Sequence, residues 1–186
     1  HQERWQQLHA ISQPDAEKMK PIQETINRVV RIVDNIAMQL YFASGAFAEK
    51  QNKEDDRLTE PQKKRFWAEA AGFLHALAEE MHPHTAHYVV QTLRHLLSCA
   101  PREVFLVAAR AITSSSAAGY QHESLAVSEV VKLIQCALAD HREIFHSQDN
   151  SESDCLAALL KVLDLFVEAG WSDARQLTHR LEEIYR

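Results

Sequence analysis

The tripeptide pattern Ala-Gly-aromatic occurs at Ala118-Gly119-Tyr120 and again at Ala169-Gly170-Trp171, 51 residues on. Each copy separates two stretches whose apolar residues fall at helical spacing. At that offset Phe105 aligns with Leu156, Ala108 with Leu159, Ala109 with Leu160, Ile112 with Leu163, Ala126 with Leu177, Val130 with Leu181 and Leu133 with Ile184. This reads as one helix-turn-helix unit used twice. Glycine suits the left-handed residue just past a helix end, where a side chain costs energy, and the aromatic after it packs back on the last turn. A unit of this kind cannot bury its apolar face alone, so it constrains the chain to helices stacked on neighbours.

The rest of the chain agrees with an all-α reading. Only 4 Gly and 5 Pro punctuate 186 residues, so the elements are few and long. No stretch keeps a period of two between turn clusters, and the β-branched residues recur at helical spacing instead. The length fits a single all-α domain over residues 1–186, with about seven or eight helices. Within it, residues 1–60 hold N-terminal helices, including a long one at about 22–50 that ends in a polar loop, and residues 61–186 hold helical hairpins.

The long helix carries Ile22, Ile26, Val29, Val33, Ile36, Leu40, Ala43 and Phe47, spaced alternately four and three. That is a heptad seam, widened by Val30 and Ala37 on one side and by Ile32 and Ala46 on the other. The broad stripe predicts the central strut of a bundle. Its other use is a homodimer through the helix from Ile22 to Phe47. From Glu49 to Lys64 the text is almost entirely polar and reads as a solvated helix end plus loop.

Start and stop signals place the remaining helices. Thr59 with Gln62 forms a capping box before a helix from Glu60, whose stripe is Trp67, Ala70, Leu74, Leu77 and Met81 and which Pro83 ends. A helix over about 85–98 and another over 102–117, opened by Pro101, lie antiparallel across a short loop. A helix over 123–145 turns Val127, Val130, Ile134, Ala137, Leu138 and Phe145 inward. Ser151 and Asp154 then offer capping groups for a helix over 154–169, the most apolar and expected to be the most buried of the C-terminal half. A last helix, Ser172 to Tyr185, has the thin stripe and charged outer face of an end cap.

Chemistry-bearing residues are plentiful but do not converge on a motif. Eleven histidines stand in the chain, densest at His75, His82, His84, His87 and His95. The pairs Glu79 with His82 and Glu143 with His146 have the spacing used by di-metal bundles, which makes a metal-dependent helical-bundle enzyme the alternative reading. Both pairs fall at helix ends, and the separate inward carboxylates of such sites are missing. His87, His95 and Cys99 share a helix face without the close-spaced ligand pairs of a zinc site. Ser114 to Ser116 lack a glycine-built elbow, and four isolated glycines cannot cradle a phosphate. Arg94, Arg102 and Arg110, eight apart, read as partners in intramolecular ion pairs. No catalytic, cofactor-binding or metal residue is therefore assigned, and no cofactor.

A formal net charge of −6 gives no positive field for phosphate backbones or anionic lipid, so neither nucleic acid nor membrane is an expected partner. No apolar run has the length of a membrane span. Cys99, Cys136 and Cys155 suit buried free thiols in a reducing compartment, which predicts a cytoplasmic protein. The paired antiparallel helices, Pro101 at a helix start and the two Ala-Gly-aromatic turns give residues from about His84 to Arg186 a resemblance to HEAT or armadillo-like α-helical repeats. The resemblance implies an irregular bundle or a short HEAT-like right-handed array. It also implies a non-catalytic protein–protein interaction or scaffolding role within a larger multidomain protein, with a protein partner or other domains of the same polypeptide.

Overall fold

Local chemistry decides where the helices begin. The computed structural model describes residues 16–51, 57–79, 83–117, 127–146 and 154–170. The helices are α1 (Ala16–Ala43), α2 (Ala46–Lys50), α3 (Glu60–Glu79), α4 (Pro83–Leu96), α5 (Pro101–Ala117), α6 (Val127–Asp140) and α7 (Cys155–Glu168), with a 3-10 helix over Arg142–Phe145. Among the described residues no strand is present, and the chain is all-α. Pro83 and Pro101 each occupy a first helical position, where the missing N–H has no intrahelical partner to lose. The Gln62 side chain reaches back to accept from the Thr59 backbone N–H at 2.8 Å, the return half of a capping box. Asp154 accepts from the Leu156 N–H at 2.9 Å and caps α7 directly; Ser151 lies outside the described residues.

The chain divides into two units, residues 1–35 and 36–186. In the first, the described segment is the N-terminal part of α1. Its seam residues are not core. Ile22, Ile26, Val29 and Ile32 are 51%, 49%, 53% and 51% exposed, so the expected strut of a bundle is not what this stretch forms.

In the second unit the strut is α4. Ala86, Val89, Val90, Leu93 and Leu96 are buried, and so are Thr85, Gln91, Thr92 and His95 on its other sides. Helix α4 packs on α2, α3, α5 and α6, while α5 packs on α3, α4, α6 and α7. Two layers result: α3, α5 and α7 lie side by side in one, and α4 and α6 in the other. Connections alternate between the layers, as sequential hairpins require. The 51-residue offset maps α5 onto α7 within the same layer. Phe105, Ala108, Ala109 and Ile112 are all buried, as are Leu159 and Leu163, whereas Leu160 is exposed. Helix α5 has neighbours on both sides, and among the described helices α7 packs in its layer only on α5. For the same reason α7 is less covered than its composition predicts, with Leu160 and Val167 both exposed.

Two predicted helices are interrupted. The helix expected over 22–50 stops at Ala43, because Gly45 takes φ +81° and the Ser44 hydroxyl donates to the Tyr41 carbonyl at 2.9 Å. Ser-Gly pairs are a recurrent cause of such breaks. The break lets Tyr41 meet Tyr88 of α4 at 5.5 Å and Phe47 at 6.1 Å, tying the last turns of α1 and the short α2 to the bundle. The helix expected over 123–145 ends at Asp140, where His141 leaves helical geometry at φ −138°. The 3-10 turn after it buries Phe145 edge-on against Phe105, ring centres 5.0 Å apart, so core packing outweighs helix continuation here. At the end of α7, Gly170 has φ +79° and its N–H donates to the Val167 carbonyl at 3.0 Å, the left-handed stop expected from the sequence. Gly119, Tyr120, Trp171 and the helix expected over Ser172 to Tyr185 lie outside the described residues.

Candidate functional site

The start of the stretch read as a solvated helix end plus loop supplies a contact to a buried histidine. Glu49 of α2 receives a hydrogen bond from Nδ1 of His95, 46 residues away on α4. The His95 side chain is only 4% exposed, and its Nε2 has no hydrogen-bond partner among the described residues. Gly45 lies beside the pair: a Cβ there would stand 3.5 Å from His95 Nε2, an ordinary contact, and a tighter 3.2 Å from Leu58. Leaving a buried ring nitrogen unpaired costs roughly 1–3 kcal/mol, which the hydrogen bond at the other nitrogen offsets only in part.

Beside this pair is a recess of about 320 Å³, lined by Ala46, Glu49, Gln91, Arg94, His95 and Cys136. Its charges are matched within the fold. Arg94 faces Glu129 of α6 at 3.6 Å, and Lys132 donates to the same carboxylate at 2.8 Å. On the far side of Glu49, Lys63 pairs with Glu60 at 3.1 Å, and Ser98 donates to Glu60 at 3.0 Å. These pairs make the recess a junction holding α2, α3, α4 and α6 together.

The carboxylates there titrate low. The His95 hydrogen bond holds Glu49 below the ordinary value of 4.5, with burial opposing and the positive charges of His95, Lys63 and Arg94 assisting. For Glu129, burial pushes upward, but the Lys132 hydrogen bond and the charges of Arg94 and Lys132 bring it below that value. For Glu60 burial again pushes upward, and Lys63 and Ser98 outweigh it. A carboxyl depressed in the folded chain contributes stability above its unfolded pKa and loses it as pH falls through the folded one. The urea midpoint is therefore expected to hold between about pH 5.5 and 7 and to decline below about pH 4.5. A Glu49→Gln variant is expected to be less stable than the parent at pH 7 and to decline less on acidification. Parallel pH profiles for the two proteins would contradict the assignment.

Among the described residues, those that stand out in the sequence do not converge on one site. Glu79 pairs with Arg110 of α5 at 3.5 Å, with both side chains well exposed, and lines an open recess of about 430 Å³ with His75, Val107 and Lys161. His82 lies outside the described residues. Glu143 faces Nδ1 of His141 at 3.8 Å, and the His146 N–H donates to the Glu143 carbonyl at 3.2 Å. Among the described residues no group of three or more His, Cys, Asp or Glu converges as metal donors.

Two of the thiols are poor nucleophiles. Burial pushes the Cys155 thiol up to about 11, and burial followed by the charge of Glu60 raises Cys99, the reverse of what an activated cysteine needs. Cys99 instead donates to the Leu96 carbonyl at 3.0 Å. All three cysteines are free. Arg94 and Arg110 each face a glutamate, as the charge pattern predicts.

The junction cannot be read from the sequence, because its parts are far apart in the chain and none belongs to a recognisable spacing. The exposed face of α1 is visible there as a seam but not as a surface. No described helix is long and apolar enough to cross a membrane. No protein-family model, no curated protein and no solved structure matches the chain.

Proposed function

We propose that this chain is a non-catalytic protein–protein interaction module whose docking element is the apolar face of α1. The observation that carries this reading is the exposure of Ile22, Ile26, Val29 and Ile32, four β-branched residues on a helix whose opposite face bears Lys20, Glu24 and Arg31. Exposed apolar stripes with a polar reverse side mark helix-in-groove and helix-to-helix recognition. An apolar helix face gains from cover. The two-layer alternation of α3 to α7 supports a HEAT-like array as the scaffold, and the three free thiols suit a reducing, cytoplasmic setting.

Selection of amphipathic helical peptides against the purified chain tests the reading. Binders are expected whose affinity falls about tenfold or more on Ile26→Asp or Val29→Asp and is unchanged by Arg31→Asp on the polar face. Binders indifferent to both seam substitutions would overturn it.

A further inference from the structure

We propose that the open recess on α3, α5 and α7 is a second docking surface, independent of α1, and that its occupant is an extended acidic segment of a partner polypeptide. The recess holds about 430 Å³, and all three helices of one layer line it. Each gives it one basic side chain: His75 from α3, Arg110 from α5 and Lys161 from α7. The 51-residue repeat accounts for the alignment. Arg110 and Lys161 occupy the same repeat position, as do Leu106 with Ala157 and Val107 with Ala158, and all six line the recess. The repeat thus sets one cation on each of two neighbouring helices at the same recess.

Charge selects the occupant. In a chain of net charge −6, this recess has two permanent cations and a histidine against one carboxylate, that of Glu79. Glu79 faces Nη2 of Arg110 at 3.5 Å, and the two side chains are 59% and 62% exposed. So exposed a pair holds weakly, and a guanidinium has further N–H donors for an arriving carboxylate. Lys161 is exposed, and no carboxylate among the described residues pairs with it. Asp164, the nearest acidic residue to it in α7, takes the repeat position of Thr113 and does not line the recess.

Shape selects a polypeptide over a small anion. The small side chains of Ala109, Ala157 and Ala158 are part of the wall, so apolar surface lies beside the cations, where a free anion would leave it uncovered. Packed helix axes stand about 8–10 Å apart, so three helices span about 16–20 Å, the length of five or six extended residues. In an extended chain, alternate side chains share a face about 7 Å apart, close to one helix spacing. Acidic residues two apart can therefore meet Arg110 and Lys161 together.

A capped six-residue peptide of alternating Glu and Thr, titrated into the full isotope-labelled chain at low salt and followed by NMR, tests this. The shifts are expected to concentrate at the amides of Ala109, Arg110, Thr113, Ala158 and Lys161, and not along Ile22 to Val33. Lys161→Glu is expected to weaken binding about tenfold or more and Lys161→Arg to keep it. Because Lys161 has no ion pair to lose among the described residues, both variants are expected to melt like the parent. Lys64→Glu, at an exposed position about three turns before His75 on α3, is expected to bind like the parent. The same peptide with Gln for Glu is expected to bind about tenfold more weakly or worse. Absence of shifts at the recess, or unchanged binding with Lys161→Glu or with the Gln peptide, overturns the proposal. Equal weakening by Lys64→Glu means general charge attraction and overturns it too. Sodium glutamate or inorganic phosphate that reproduces the shifts as strongly as the peptide overturns the polypeptide occupant in favour of a simple anion.

Discussion

Replacing Phe105 by Ala is expected to cost about 4 kcal/mol of folding stability, more than any other single substitution proposed for this chain. Phe105 is 1% exposed on α5, a helix with neighbours in both layers, and Phe145 meets it edge-on at 5.0 Å. Truncation removes the transfer energy of a whole ring and leaves a cavity that helices packed on every side cannot collapse to fill. The edge-on contact adds about 1 kcal/mol beyond buried area. For a chain of this length the melting temperature is expected to fall by about 10 °C, measured by calorimetry or circular dichroism. Phe145→Ala is expected to cost somewhat less, because the 3-10 turn that carries it has fewer neighbours to support and can relax. The double variant is expected to cost less than the sum of the two, since the contact between the rings is lost only once. Additive losses would mean that the two rings do not form one core cluster.

Gly45→Val is expected to be the second largest, at about 2–3 kcal/mol. Two independent costs act at this position. The backbone stands at φ +81°, where a β-branched residue is strained, and a Cβ would come within 3.2 Å of Leu58 Cγ and 3.3 Å of the Leu58 backbone nitrogen. Gly170 provides the control. Its φ is +79°, almost the same strain, yet nothing stands within 4 Å of its Cβ position. Gly170→Val is therefore expected to cost only the backbone term, about 1 kcal/mol. The difference between the two variants isolates the packing of Gly45 against Leu58 and beside His95. Equal melting shifts would show that the break between α1 and α2 is not packed in this way.

The pair of glycines also shows what a sequence can and cannot reveal. Gly170 is legible because its role is local: a helix end needs a left-handed residue, and the residues that demand it are its own neighbours. The same holds for Pro83, Pro101, Thr59 with Gln62, and Asp154, each of which marks a helix start by chemistry within one turn. Gly45 is hidden because the apolar spacing runs through it from Leu40 to Phe47 without a gap, and periodicity alone does not register a break. The Glu49–His95 contact joins residues 46 apart in the chain, with no local signal at either end.

Burial is hidden for a related reason. Helix α4 contains Thr85, Gln91, Thr92 and His95, and its composition does not announce a central helix. Four neighbours cover it nonetheless, and its polar side chains are buried with it. Conversely, the α1 seam and α7 are rich in aliphatic residues and partly exposed, since burial depends on which neighbours exist as well as on the stripe itself. An apolar stripe says that a face gains from cover. It does not say whether the cover comes from the same molecule.

Hydrogen exchange along α1 separates the two sources of cover most directly. At low micromolar concentration the amides from Ile22 to Val33 are expected to exchange far faster than those of α4 from Val89 to Leu96, because no partner holds the α1 face closed. Adding a selected helical peptide is expected to slow exchange in the α1 stretch while leaving α4 unchanged. Protection of Ile22 to Val33 equal to that of α4 without peptide, and unchanged by peptide, would contradict the claim that this face is open for a partner.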